Sequence, residues 1–229
     1  MQIHGLNKTT LLDYPGVVAS VVFTGLCNFR CPFCHNADLV LNPGSQPIIS
    51  EEAVFEHLDR RKGIVKGVCI TGGEPTLQAD LKDFIIKLKE RDLLVKLDTN
   101  GYRPQVIEAL LEEGIIDYIA MDIKSSPERY SEAAGIVADT DIIRQSIDII
   151  MNSGIDYEFR TTVVRELHDA DTFLKIGELI SGADKYYLQA YIDSDRVISP
   201  GFSSYSAEEL EVFRGLMREK VKIVDIRGI

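Results

Sequence analysis

The chain has 229 residues, a formal net charge of −11, and 45% hydrophobic residues. That apolar content suffices for one sizeable core, while a strongly acidic chain repels phosphate backbones, which argues against nucleic acid as a main partner. No run approaches the roughly 18 apolar residues of a membrane helix, so we expect no membrane partner. The first residues lack the basic and apolar regions of a signal peptide, and we therefore expect a cytoplasmic protein.

Strand and helix patterns alternate along the chain. Apolar, β-branched runs predict strands at 17–23, 68–71, 93–98, 118–123, 158–164 and 185–191, with a short terminal strand at 221–226. Helical spacing and capping residues predict helices at 50–62, 79–91, 104–114, 141–152 and 170–180, with a last helix opening at Ser206.

Strands separated by helices imply parallel pairing and right-handed crossovers. Six strand-then-helix units fall short of a closed eight-fold barrel, which typically takes about 250 residues. We therefore predict an α/β fold, a single-domain partial (β/α)6 barrel of parallel strands, with an open wound sheet as the alternative. The domain spans 1–229, with a cysteine-bearing loop at 24–36, βα units to about 191, and a C-terminal helix and strand at 206–226.

Three of the four cysteines follow the first strand with the spacing C-x3-C-x2-C: Cys27, Cys31 and Cys34. Three thiolates on one short loop can converge on a 4Fe–4S cluster and leave one iron open for a small ligand. A structural zinc ion is the alternative, with Cys69 or His35 as a fourth ligand. A disulfide is disfavoured in a reducing compartment. Cys69 lies within an apolar strand, which is typical of a buried core thiol.

Further polar motifs follow the next three strands. The pair Gly72 and Gly73 lets backbone approach a ligand closely, and Glu74 can accept from an ammonium group. The run 98–101 could meet a hydroxyl or a cation, although it is also common turn chemistry. The alternative for 72–75 is likewise an ordinary strand-to-helix turn. The residues that end the third strand are Asp98, Thr99, Asn100 and Gly101.

Charged side chains also occur within or at the end of two apolar strands. Asp122 and Lys124 share a face of the fourth strand because they are two residues apart; a structural ion pair is the alternative. Arg160 lies within the fifth strand and needs an anion, which could be an external carboxylate, Glu158 or a nearby aspartate.

The cysteine motif with Phe33 as its aromatic, the string 8–16 and the run 27–36 together resemble the radical S-adenosylmethionine enzymes. Within them, the chain is similar to the activating enzymes of glycyl radical proteins. The match is nearest to those serving anaerobic ribonucleoside-triphosphate reductase, with pyruvate formate-lyase activation as a near relative. The resemblance runs from residue 3 to about 191. Arg165 departs from the proline expected in relatives.

The resemblance implies a 4Fe–4S cluster on the three cysteines and an S-adenosylmethionine site along the strand ends. Gln189 stands where the pyruvate formate-lyase activator has a histidine nearby, and we assign it an adenosine contact. For His35, catalysis and a supporting or backbone-capping role remain open. The residues implied to line the cofactor site are Phe33, His35, Gly72, Gly73, Glu74, Asp98, Thr99, Asn100, Asp122, Lys124, Arg160 and Gln189. A monovalent cation is implied at Asp98, Thr99 and Asp122.

The implied activity is reductive cleavage of S-adenosylmethionine to a 5′-deoxyadenosyl radical, which then abstracts hydrogen from a glycine of a partner enzyme. Anaerobic ribonucleoside-triphosphate reductase is the first candidate partner. A flavodoxin or ferredoxin would serve as the low-potential electron donor. The alternatives are activation of pyruvate formate-lyase, a small-molecule radical S-adenosylmethionine enzyme, and a zinc-stabilised interaction protein without catalysis.

Overall fold

The computed structural model describes residues 1–194 and 196–229. Its strands are hydrogen-bonded in the order in which they occur in the chain. They are β1 (Ile3–Thr10), β2 (Ala19–Thr24), β3 (Gly67–Gly72), β4 (Leu94–Thr99), β5 (Tyr118–Asp122), β6 (Asp156–Val163), β7 (Lys185–Ala190) and β8 (Ile223–Arg227).

Helices alternate with the strands from β2 onward. They are α1 (Ala37–Leu41), α2 (Glu51–Arg60), α3 (Leu81–Lys89), α4 (Pro104–Glu112), α5 (Tyr130–Ala134), α6 (Thr140–Met151), α7 (Ala170–Leu179) and α8 (Ala207–Met217). Short 3-10 turns occur at Pro43–Ser45, Pro75–Leu77 and Pro127–Arg129.

Parallel pairing is confirmed for β2 with β3, β3 with β4, β6 with β7, and β7 with β8. The six predicted strand-then-helix units correspond to β2 through β7, and the predicted terminal strand is β8. The sequence analysis missed β1, which pairs antiparallel with β2. Its residues Gly5, Asn7 and Lys8 interrupt any apolar alternation, and an edge strand needs only one neighbour.

Local capping explains several helix starts. The Ser50 hydroxyl accepts from the Ala53 N–H and opens α2. Ser206 and Glu209 form the predicted capping box at the start of α8. Each cap satisfies a backbone N–H that has no partner within its helix.

The chain folds into two compact units. The first comprises Met1–Asn28, Asn36–Thr99 and Gln105–Ile119, and the second comprises Phe29–His35, Asn100–Pro104 and Ala120–Ile229. Each has a buried apolar core, with Phe84, Ile85 and Leu97 in the first, and Phe159, Phe173 and Tyr186 in the second. The single domain at 1–229 stays a prediction.

Among the described residues, none of the helices has both the length and the apolar character that crossing a bilayer requires.

Candidate functional site

In the first unit, the loop after β2 is fixed by its own backbone. Leu26 has a positive φ of 69°, a conformation that is rare for a residue with a side chain. Its N–H donates to the Leu39 carbonyl at 2.9 Å, and its carbonyl accepts from the Glu74 N–H at 2.7 Å. The residue before Cys27 is therefore held from two sides.

The glycines at the end of β3 are required by close backbone packing. Gly72 has a φ of +113°, and a Cβ there would lie 2.4 Å from the backbone nitrogen of Thr24. A Cβ on Gly73 would lie 1.9 Å from the Leu26 carbonyl oxygen. The Asn36 amide donates to the Gly72 carbonyl at 2.8 Å. These glycines thus bring β3 against the cysteine-bearing loop.

Glu74 is buried, with 1% of its surface exposed. Its Oε1 accepts from the Thr76 N–H at 3.1 Å, the Thr76 hydroxyl at 2.6 Å and the Thr99 hydroxyl at 2.7 Å. A carboxylate held by several donors keeps its orientation. Glu74 is therefore a preset acceptor for a cationic group, as its position in the sequence predicts.

The contacts that Lys96 and Cys69 make with Asp98 in the first unit were not predicted from the sequence. Lys96 lies in β4 and is 1% exposed, and its ammonium group is ion-paired with Asp98. Cys69, fully buried as predicted for a core thiol, lies 3.5 Å from Asp98 Oδ1. A lone lysine between Val95 and Leu97 in an apolar strand was the signal that could have identified this cluster.

In the second unit, Cys31 and Cys34 are joined by a backbone turn in which the Cys34 N–H donates to the Cys31 carbonyl at 3.0 Å. Cys31 is 7% exposed. Burial raises the pKa of its thiol to about 11, and the nearby charge of Lys124 partly opposes this rise. A bound metal would stabilise the thiolate instead and release the proton.

Backbone hydrogen bonds hold the turn that carries Cys31 and Cys34 at two positions, Arg30 and Pro32. The Arg30 N–H donates to the Ala134 carbonyl at 2.8 Å, where α5 ends at the left-handed Gly135. The Ser199 N–H donates to the Pro32 carbonyl, also at 2.8 Å. Backbone hydrogen bonds therefore fix the course of this turn.

The side chains flanking Cys34 have supporting contacts. Phe33 is buried and packs edge-to-face against His168 and Phe202. His35 Nε2 lies 2.6 Å from the Ile192 carbonyl, and its ring packs against Tyr191. In this structure His35 makes the backbone-capping contact that was one of its two predicted roles.

Asp122 is ion-paired on both carboxylate oxygens. Arg160 Nε donates to Oδ1 at 2.6 Å and Lys124 Nζ donates to Oδ2 at 2.9 Å. Burial alone would raise the pKa of Asp122, but the two cations hold it well below its usual range. Arg160 thus has a nearby aspartate as its partner, one of the alternatives that the sequence left open.

His168 supports Lys124 through the backbone. Nε2 lies 2.8 Å from the Lys124 carbonyl, and the Val164 N–H donates to Nδ1 at 3.1 Å. This arrangement fits a neutral ring protonated on Nε2, and burial lowers the pKa of the ring. No sequence motif identified His168, because the hydrogen bonds described here join its ring to main-chain groups.

Glu158 is fully buried and paired with Arg227. The two terminal guanidinium nitrogens of Arg227 lie 2.7 and 2.9 Å from the carboxylate oxygens of Glu158. The guanidinium carbon of Arg227 lies 3.4 Å from the centre of the Tyr187 ring. The sequence analysis missed Arg227, since 69 residues separate the partners.

The remaining residues singled out from the sequence lie at a turn or within a strand. The Asn100 side chain accepts from the Tyr102 N–H at 3.0 Å, a turn contact. Gln189 lies in β7, in register with Thr162 of β6 and Arg227 of β8. Gly101 has a φ of +75°, as the predicted sharp turn requires.

The donor chemistry of the cysteine-bearing loop fits an iron–sulfur group, whose protein ligands are cysteine thiolates. All four cysteines are thiols; Cys27 and Cys34 are half-buried, and Cys31 is buried. Across the described residues, no three His, Cys, Asp or Glu side chains form a group that could hold one metal ion.

Comparison with known proteins identifies the family. The model of the Radical SAM superfamily matches residues 21–176, which include the cysteine-bearing loop and the ends of β3 to β6. The chain belongs to the radical SAM superfamily. The matched segment also contains Glu74, Asp98, Asp122 and Arg160, the polar residues described above.

Two relatives place this radical SAM protein among the glycyl-radical activating enzymes. It is 32% identical, over 84% of its length and 81% of the relative, to a Methanocaldococcus jannaschii protein provisionally named a glycyl-radical enzyme activating enzyme. It is 34% identical to the pyruvate formate-lyase-activating enzyme of Clostridium pasteurianum, over 54% of this chain and 52% of that protein. The chain thus spans about half of the second relative.

A solved structure supports the fold. The radical SAM protein resembles Streptococcus suis SuiB bound to S-adenosylmethionine, with a TM-score of 0.70 and 15% sequence identity. The likeness covers 89% of this chain and 48% of SuiB. It agrees with the predicted α/β class with a partial barrel of parallel strands.

Proposed function

We propose that this radical SAM protein cleaves S-adenosylmethionine reductively and generates a glycyl radical on a partner enzyme. The observation that carries the proposal is the rigid placement of the cysteine-bearing loop. Leu26 is held by the Glu74 backbone, and the Cys31–Cys34 turn is anchored to α5 through Arg30. Rigid support of this kind is what a reactive centre needs, because small displacements cost large factors in rate.

We assign the cluster to Cys27, Cys31 and Cys34, which would hold it with three thiolates and would leave it able to bind S-adenosylmethionine. When bound and reduced, this cluster would supply the electron that cleaves a carbon–sulfur bond of the sulfonium group. The protein's own part is to fix the cofactor and to keep water away. Glu74, already oriented by Thr76 and Thr99, accepts from the amino group.

Other side chains position the remaining parts of the cofactor. Arg160 and Lys124 carry fixed positive charge because Asp122 holds both. They are placed to attract the methionine carboxylate. The further residues that we assign to the cofactor site are Phe33, His35, Gly72, Gly73, Asp98, Asn100 and Gln189.

Anaerobic ribonucleoside-triphosphate reductase is our first candidate partner, on the strength of the motif resemblance. Pyruvate formate-lyase is the second, and the name of the Clostridium pasteurianum relative favours it. We expect a flavodoxin or ferredoxin to donate the electron.

The test begins with anoxic reconstitution of the full chain. We expect about four irons and four sulfides per chain, loss of both in Cys34→Ser, and retention in Cys69→Ala, whose thiol lies outside the motif. Dithionite-reduced protein should release 5′-deoxyadenosine from S-adenosylmethionine. Zinc at unit stoichiometry without sulfide would instead support the interaction-protein alternative.

The partner is tested separately by electron paramagnetic resonance. The reduced protein is mixed with each candidate enzyme, and a glycyl doublet identifies its substrate. Release of 5′-deoxyadenosine without a doublet from either candidate would overturn the assignment of both partners. It would then favour a small-molecule substrate.

A further inference from the structure

Lys96 carries a charge into the interior of the first unit. It lies in β4 between Val95 and Leu97, and its side chain is 2% exposed. Removing an ammonium group from water is costly unless an anion and hydrogen bonds replace the lost solvent. A buried lysine at such a position therefore needs an anionic partner nearby to offset the lost hydration of its ammonium group.

The partner is Asp98, two residues along the same strand face. Lys96 Nζ donates to Asp98 Oδ1 and also lies 3.8 Å from the sulfur of Cys69, its register partner on β3. The Tyr118 ring centre is 5.8 Å from the same nitrogen. We call Lys96, Asp98 and Cys69 the Lys96 cluster.

This cluster bears on the monovalent cation that the resemblance implies at Asp98, Thr99 and Asp122. In the first unit, the Asp98 carboxylate already holds an ammonium group. A metal cation beside Asp98 would be repelled by the fixed charge of Lys96.

Within the second unit, Asp122 is in the same position. Arg160 and Lys124 occupy its two carboxylate oxygens, at 2.6 and 2.9 Å. Both carboxylates that the resemblance assigns to the cation are thus neutralised by side chains of this chain. The residues present do not fit an additional cation.

We propose that the Lys96 ammonium is a built-in counter-ion for Asp98 and takes the place of a bound sodium or potassium ion. Its relevance to S-adenosylmethionine rests on the proposed function, but the charge balance itself does not. This chain then needs no monovalent metal ion, and removing the lysine side chain removes the positive charge that keeps sodium or potassium away from Asp98.

The first test uses the anaerobically purified full chain and needs neither cofactor nor partner. Its thermal unfolding is measured in sodium, potassium and choline chloride at matched ionic strength. A cation that binds only the folded protein raises its stability with concentration. We expect the same midpoint in all three salts. A saturable rise specific to sodium or potassium would overturn the proposal.

The second test is Lys96→Met, which removes the ammonium group and keeps the length of the side chain. We expect a lower midpoint in choline chloride and a gain of about 2–4 °C in sodium or potassium chloride. The matched control is Lys185→Met, which removes a lysine paired with the exposed Asp156 and should show no preference among the salts. A folded Lys96→Met protein that is equally indifferent would contradict the proposal.

A double variant covers the case in which Lys96→Met does not fold. Lys96→Met with Asp98→Asn removes both charges at once, so no buried carboxylate loses its ammonium partner. We expect it to fold and to show no salt preference. A sodium or potassium preference in the double variant would show that the ion binds elsewhere, which would also overturn the proposal.

Discussion

The Thr99 hydroxyl at the end of β4 donates a hydrogen bond of 2.7 Å to the buried carboxylate of Glu74. Since Glu74 also accepts from the Thr76 N–H and hydroxyl, its Oε1 is fixed from three directions. Orientation of this kind is set before any ligand arrives, which lowers the cost of binding.

Replacing Thr99 should therefore weaken cofactor binding. Thr99→Val keeps the shape but removes the donor, and we expect about tenfold weaker binding of S-adenosylmethionine, since hydrogen bonds to charged groups contribute about 1.5–3 kcal/mol. Anoxic equilibrium dialysis of the reconstituted protein measures this affinity. Thr99→Ser is the control and should bind as the wild type does. Equal affinity in all three proteins would show that Glu74 keeps its orientation without Thr99.

The contact between Gly73 and the cysteine-bearing loop predicts a steric effect. A Cβ at Gly73 would lie 1.9 Å from the Leu26 carbonyl oxygen, so Gly73→Ala must displace backbone. We expect at least about 1–3 kcal/mol lower free energy of unfolding in urea. Gly44→Ala is the matched control, because nothing lies within 4 Å of its Cβ. An unchanged urea midpoint for Gly73→Ala would contradict the close packing.

Protonation of His168 should destabilise the folded protein. Burial lowers the pKa of its ring, whereas the unfolded chain titrates near its ordinary value of about 6.5. As the pH falls below about 6.5, the unfolded state binds more protons and stability decreases, by at most about 1.4 kcal/mol per pH unit. Urea unfolding of wild type and His168→Gln at several pH values measures this. Parallel pH profiles would refute the contribution of His168.

Cys31 should react slowly in the metal-free protein. Burial raises the pKa of its thiol to about 11, and only the thiolate is nucleophilic. We expect its alkylation by iodoacetamide, followed by peptide mass spectrometry, to accelerate as the pH approaches 11. Lys124→Met removes a charge that lowers this pKa, so the reaction at a given pH should slow further. Lys175→Met, which removes a half-exposed lysine paired with Asp171, should leave the rate unchanged.

The features that the sequence predicted well have local signals. The cysteine spacing, the Gly72–Gly73 turn and the capping box of Ser206 and Glu209 each depend on residues within a few positions of one another. Strands β3 and β5 are largely buried apolar runs, and the alternation of strands with helices predicted parallel pairing. Neighbouring residues determine these features, so a single sequence suffices to find them.

The features that the sequence missed depend on long-range partners or on weak patterns. Glu158 pairs with Arg227 in a strand 69 residues away, and no local pattern links them. In β1, polar residues dilute the strand signal, since only one edge is paired. The pairing of Lys96 with Asp98 was accessible in principle, because the same two-residue spacing predicted a shared face for Asp122 and Lys124.

Arg227, in strand β8, forms an ion pair with a buried residue of strand β6. Its guanidinium group is the bidentate partner of Glu158, which is 0% exposed. An expression clone that stops before Arg227, or digestion by a carboxypeptidase that reaches it, would remove the bidentate partner of a buried carboxylate, and breaking a buried ion pair typically costs about 3–5 kcal/mol. Affinity tags are therefore better appended beyond Arg227 than substituted for strand β8.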